Sequence, residues 1–276
     1  MSTLENKLSV PQPRLARYSR FMLAFALVII AGFLFFPPVT VLDKTHAIGY
    51  AICHQIPART FHIDGEPLPL CARCTGIYLG ALLGLVGLTL TGRWRAVSLP
   101  GLPVLLPLVS FIVLMGIDGI NSYLSFFPKA PHLYQPQNWL RLTTGTFHGL
   151  ALSVIVYPVI NGSLWHASVI RDEPVIENFK GLLPFLAGGV IIILVVLWEQ
   201  PLLLYPLAVL STLGVMAMLG IVNTMFVLLI TRRENYARHW RDIVLPATMG
   251  LAAAFLIISG MDWLRAVVTR ALGIPF

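Results

Sequence analysis

Residues 203–230 read LLYPLAVLSTLGVMAMLGIVNTMFVLLI, with no Asp, Glu, Lys or Arg among them. A hydrocarbon core about 30 Å thick takes about 20 residues of helix to cross. The run is long enough to do so, with a tilt or a bend near Pro206 taking up the excess. Lipid offers peptide groups no hydrogen bonds, so each N–H and C=O must be satisfied within the segment, which a helix achieves. Strand-like alternation is absent.

Working outward, six more apolar runs occupy residues 18–36, 75–91, 102–120, 142–160, 181–198 and 243–263. Hydrophobic residues make up 57% of the 276 positions and charged residues 11%, and the mean hydropathy is +0.81. Soluble domains carry about 25% charged residues, so this chain lacks the polar side chains to cover a globule. The composition excludes a soluble enzyme, a disordered regulator and a disulfide-stapled secreted module. It predicts an all-α fold: a polytopic integral membrane bundle of about seven transmembrane helices, with the lipid bilayer as its main partner.

The formal net charge of +7 points to topology rather than to nucleic acid, because no basic stripe alternates with aromatics. Lys7, Arg14, Arg17, Arg20, Arg93, Arg95, Arg171, Lys180, Arg232, Arg233, Arg238 and Arg241 fall on one side of the alternating runs. Lys44, Arg59, Arg73, Lys129, Arg141, Arg265 and Arg270 fall on the other. Twelve against seven puts the N-terminus in the cytoplasm and the C-terminus outside. Arg14, Arg17 and Arg20 precede the first run as in a signal peptide. It ends in Phe35-Phe36-Pro37-Pro38 without a small-residue cleavage pattern, however, so it reads as a retained helix. Trp94, Trp139, Trp165, Trp198, Trp240 and Trp263 fall at or near run ends, as an aromatic belt requires. The polar stretch 166–180 divides a four-helix unit, residues 1–165, from a three-helix unit, residues 166–276. Gly76, Gly80 and Gly84, and likewise Gly145 and Gly149, recur every four residues, a spacing that brings helix backbones together.

All three cysteines, Cys53, Cys71 and Cys74, lie between the first two runs or at the start of the second, on the side assigned to the exterior. Cys71-Ala72-Arg73-Cys74 brings two sulfurs within reach of one ion. With Cys53 and an imidazole from His54 or His62, a tetrahedral zinc site of three thiolates and one nitrogen is possible. Closed coordination would make such a site structural; an open fourth position would make it catalytic. His54 directly follows Cys53, and neighbouring residues rarely ligate one ion comfortably. Cys71 and Cys74 also start a helix, where the dipole and Arg73 favour thiolate. That arrangement fits thiol–disulfide exchange with a quinone, with Cys53 as partner.

The loop Cys53-His54-Gln55, with Arg59 and Phe61, and then the stretch from Leu70 to Gly80, LCARCTGIYLG, resembles a prokaryotic family of predicted membrane proteins, domain of unknown function 2085. Asp118-Gly119, Asn138, Arg141, Thr144, Gly145 and Gly149 extend the resemblance, which covers about residues 48–150. It implies a helical membrane fold in a prokaryotic plasma membrane and carries no activity with it.

The topology returns this second block to the cysteine side. Arg141, Thr144 and His148 share one helix face, and Asp118 approaches from the preceding run. Ionisable groups within a span cost about 2.5–3.5 kcal/mol each near its centre, which pairing of Asp118 with Arg141 would reduce. The expected pocket is therefore formed by Arg59, Arg73, Asp118, Arg141 and His148 beneath the cysteine loop. It would take a lipid headgroup, a quinone or a small anion. Structural roles for the same residues remain open: a turn cap for Asp118, snorkelling for Arg141, helix-to-helix hydrogen bonding for His148 and loop bracing for Arg59 and Arg73. The leading expectation is a multi-pass membrane protein with a zinc-bearing Cys/His loop over that pocket, in a binding or structural role. The alternatives are a membrane thiol oxidoreductase and a lipid or small-molecule transporter.

Overall fold

The computed structural model describes residues 13–36, 38, 40–127 and 131–272, with the side chains of residues 13–18 and 272 outside that description. Lys7, Lys129 and the side chains of Arg14 and Arg17, counted in the charge tally, lie outside the described residues. The helices are α1 (Pro13–Phe35), α2 (Val41–Ile52), α3 (Ala72–Leu90), α4 (Leu102–Leu124), α5 (Asn138–Leu164), α6 (Phe179–Leu197), α7 (Leu204–Thr231) and α8 (Trp240–Leu272). The seven apolar runs become α1 and α3 to α8. Of these, α3 to α8 are long and apolar enough to cross a membrane, whereas the apolar stretch of α1, Ser19–Phe35, is shorter.

The helix α2 was not foreseen. The Thr40 hydroxyl accepts a hydrogen bond from the Asp43 N–H at 3.1 Å and so caps the first turn. The helix ends at Cys53, whose N–H bonds to the Gly49 carbonyl at 2.8 Å. Twelve residues give about 18 Å of helix, too short to span a bilayer, and α2 packs against α7 and α8 instead. A two-stranded hairpin follows, β1 (His62–Ile63) with β2 (Glu66–Pro67). Asp64 and Gly65 at its tip both have positive φ, as an Asp-Gly hairpin turn requires. A second, parallel pair, β3 (Ala96–Ser98) with β4 (Arg171–Pro174), joins loops at the opposite end of the bundle.

The glycine faces meet as their spacing predicts. A Cβ added at Gly76 or Gly80 would strike the carbonyl oxygens of Leu142 or Thr146 on α5. One added at Gly145 or Gly149 would strike those of Arg73 or Ile77 on α3. Gly214 of α7 meets the Tyr78 carbonyl in the same way. The helix α3 is thus clamped between α5 and α7, while α4 and α6, the least buried spans, lie at the periphery.

The aromatic belt is only part of what the tryptophans do. Trp94, Trp165 and Trp240 form a cluster with ring centroids 4.9–5.3 Å apart. Trp165 is fully buried and helps close that end of the bundle. Trp139, Trp198 and Trp263 are exposed, as belt residues are.

Because the clash at Gly149 is with main chain, Gly149→Val is expected to lower stability by about 1–3 kcal/mol through overpacking. Gly116, which has no atom near its missing Cβ, should accept Ala within about 0.5 kcal/mol. Thermal unfolding of the two variants in detergent measures both.

Candidate metal centre and its cavity

The cysteine loop is folded by residues of its own sequence. Cys53 leaves α2 in extended geometry, and Gln55 turns the chain with a φ of 49°. The Gln55 amide then donates to the carbonyls of His46, at 3.2 Å, and Pro69, at 2.8 Å. This ties the end of α2 to the residues just before Cys71. Phe61, Ile63 and Leu68 are buried against α3, α5, α6 and α7, each adding about 1.5–3 kcal/mol by leaving water. Cys71 caps the start of α3, and Cys74 follows on its first turn.

These constraints bring the three sulfurs within 4.8 Å of one another. All three cysteines are free thiols; Cys53 is buried, Cys71 and Cys74 half-buried. The Cys71 N–H donates to the Cys53 sulfur at 3.2 Å. Hydrogen bonds from the Cys71 and Cys74 side chains push the Cys53 thiol far below its ordinary value, against burial. Cys71 is raised, first by its own hydrogen bond to Cys53 and further by burial. The hydrogen bonds of the triad thus converge on the Cys53 sulfur.

His54 does not join the sulfurs. It is exposed while Cys53 is buried, although both residues line the same cavity. His62 is likewise exposed, on β1, and neither imidazole is within the group of potential ligands.

The sulfurs open onto a cavity of about 360 Å³ lined by all three cysteines, by Arg59, Arg73 and Arg141, by His54 and Ser122, and by apolar residues of the loop and of α4. Asp118, 1% exposed, stands behind it. Its partner is Arg73, which pairs with the carboxylate and also donates to the Asp118 carbonyl at 3.2 Å and the Ser122 hydroxyl at 3.0 Å. The expected Asp118–Arg141 pair is corrected by this arrangement: the close packing of α3 on α5 presents Arg73 to Asp118 first. Arg141 donates instead to the Asn138 side chain at 2.8 Å. The Tyr134 hydroxyl supplies the other contact to Asp118, at 2.8 Å. Burial, and then that bond, push the phenol up to about 12.

Arg59 donates to the Ser122 carbonyl at 3.1 Å and lies 3.7 Å over the Phe126 ring. Burial lowers it, and so do the nearby charges of Arg141 and Arg73, a sign of how closely the three cations are held. His148 is half-buried on α5, and its Nδ1 has no partner among the described residues. It is not part of the cavity wall.

Ser122, Tyr134 and Arg265 were not singled out from the sequence. Arg265 of α8 donates to the carbonyls of Tyr50, at 2.6 Å, and Cys53, at 2.7 Å, fixing the end of α2 from below. A cation in the C-terminal half of an otherwise apolar helix was the available signal.

Residues 53–155 match a family described as predicted membrane protein, domain of unknown function 2085. An uncharacterised protein of Methanothermobacter thermautotrophicus is 35% identical over 105 residues, 38% of this chain and 83% of that protein. The chain belongs to this family. A second uncharacterised relative, from Methanocaldococcus jannaschii, is 29% identical over 114 residues, covering 41% of this chain and 67% of its own length. No solved structure matches. The family region holds all three cysteines, the three arginines and Asp118; Arg265 and the helices α6 to α8 lie outside it.

The Arg73–Asp118 assignment predicts a coupling of about 1–3 kcal/mol in a double-mutant cycle on those two residues. A cycle on Arg141 and Asp118 should give a smaller value. Asp118→Ala alone, which leaves Arg73 without its carboxylate, is expected to cost about 3 kcal/mol. Chemical unfolding in detergent reads all of these.

Proposed function

We propose that this is a multi-pass protein of the prokaryotic plasma membrane that holds a zinc ion on Cys53, Cys71 and Cys74, beside a ligand-binding cavity on its outer face. The observation that carries this reading is the meeting of three thiols, from the end of α2 and the start of α3, within 4.8 Å. Zinc–sulfur bonds of about 2.3 Å in a tetrahedron put sulfurs about 3.8 Å apart. Small side-chain rotations close that difference. The cysteine-rich donor set suits zinc, and thiolate at the start of a helix is favoured by its dipole.

Three sulfurs supply three ligands, and the fourth comes from the cavity, whose wall includes His54. Three protein ligands and an exchangeable fourth position are the pattern of a working zinc site rather than of a closed structural one. Zinc with three thiolates carries one negative charge, which Arg59, Arg73 and Arg141 in the same cavity wall offset. The outward orientation rests on the Lys and Arg count, since the cysteine end is the poorer in positive charge.

Metal analysis of the purified full chain is the test. About one zinc per chain is expected, falling to background in the Cys71→Ser, Cys74→Ser double variant. Well-folded protein without metal would defeat the proposal. A reducible Cys71–Cys74 disulfide in that metal-free protein would select thiol–disulfide exchange.

A further inference from the structure

We infer that the cavity beside the cysteines takes the anionic head of an amphiphile, a phosphate or carboxylate group seated among Arg59, Arg73 and Arg141. The inference rests on reading this cavity as the ligand site next to the metal, and it names the class of ligand.

Charge comes first. Three guanidinium groups line one wall, and Asp118 is the carboxylate that pairs with them, through Arg73. Two positive charges are left over in a cavity that zinc and three thiolates would make only one unit more negative. Arg141 is only 6% exposed, and its Nε has no hydrogen-bond partner; the same holds for the buried Nε of Arg73. Buried donors of this kind are rarely left unmatched. A guanidinium edge matches the paired oxygens of a phosphate or carboxylate, which it binds through two parallel hydrogen bonds.

Depth and lining argue for an amphiphile. Gly119, on the wall, is five residues from the end of α4, which places the cavity about 8 Å inside the helix ends. That is the depth at which headgroups give way to acyl chains. Apart from His54 and Ser122, the remaining wall is apolar and aromatic, from Ile52, Ile56, Tyr123 and Phe126. Tyr123 and Phe126 are also exposed on the outside of the bundle, so a chain attached to the bound head would leave along apolar surface. At about 360 Å³ the cavity admits a head and not a whole lipid.

The experiment uses zinc-loaded, delipidated full chain in neutral detergent. Dihexanoyl phosphatidic acid, dihexanoyl phosphatidylcholine and inorganic phosphate are titrated separately by calorimetry. Phosphatidic acid is expected to saturate at one per chain and to bind about ten-fold tighter than phosphatidylcholine. Arg59→Gln, which removes one of the guanidinium groups facing the cavity, should weaken it about ten-fold when compared at equal zinc loading. Arg141→Lys, which keeps the charge but loses the planar fork, should also weaken it, and Lys180→Gln at the opposite end should not. Equal affinity for the two lipids overturns the inference, as does indifference to Arg59→Gln. Inorganic phosphate binding as tightly as phosphatidic acid replaces the amphiphile by a soluble anion and also overturns it. Zinc-loaded protein that ignores phosphatidic acid defeats this inference alone. Protein that holds no zinc yet binds phosphatidic acid through Arg59 defeats the metal reading alone.

Discussion

The contact between α3 and α5 is the constraint on which the rest of the molecule depends. Gly76 and Gly80 on one helix and Gly145 and Gly149 on the other remove every side chain that would hold the two backbones apart. In lipid there is no hydrophobic gain from bringing helices together, so close packing of main chain must supply the attraction. The consequence reaches beyond stability. With the backbones this close, the start of α3, carrying Cys71, Arg73 and Cys74, lies directly beside the start of α5, carrying Arg141. Both then face the C-terminal end of α4, which carries Asp118 and Ser122.

The buried ion pair follows from that placement. A carboxylate on a membrane helix is tolerated when its charge is matched and its oxygens are bonded. Asp118 has both, from Arg73 and from the Tyr134 hydroxyl. Arg73 in turn sits between Ala72 and Cys74, so the residue that neutralises Asp118 also fixes the orientation of the first turn of α3. Thiols held this way owe their geometry to neighbours outside the sulfur cluster. Gln55 and Arg265 do for Cys53 what Asp118 does for Cys74. One bridges the loop to α2, and the other holds the helix end from α8.

Much of this was legible from residue order. Runs without charge lengths apart, glycines at every fourth position and three cysteines in one loop each have a local physical meaning, and each was found where expected. The hairpin at Asp64-Gly65 and the cap at Thr40 with Asp43 carry equally local signals, and reading them would have revealed α2 and the folded state of the loop. The partner of Asp118 was of another kind. Arg73 and Arg141 stand on the same side of the membrane by topology, and nothing in their spacing ranks them.

By itself the sequence determined that the chain is a bundle of membrane helices, that its glycine faces pack inside that bundle, and that sulfur and cations gather at one end. These follow from length, period and the cost of polar groups in lipid, which act along a single segment. Only the tertiary structure decided that Arg73 rather than Arg141 neutralises Asp118, that α3 and α5 are the pair that meet through glycine, and that His148 lies off the cavity wall. Such choices depend on the direction in which each side chain leaves its backbone and on which neighbour reaches it first, and both are set by how the helices are rotated against one another.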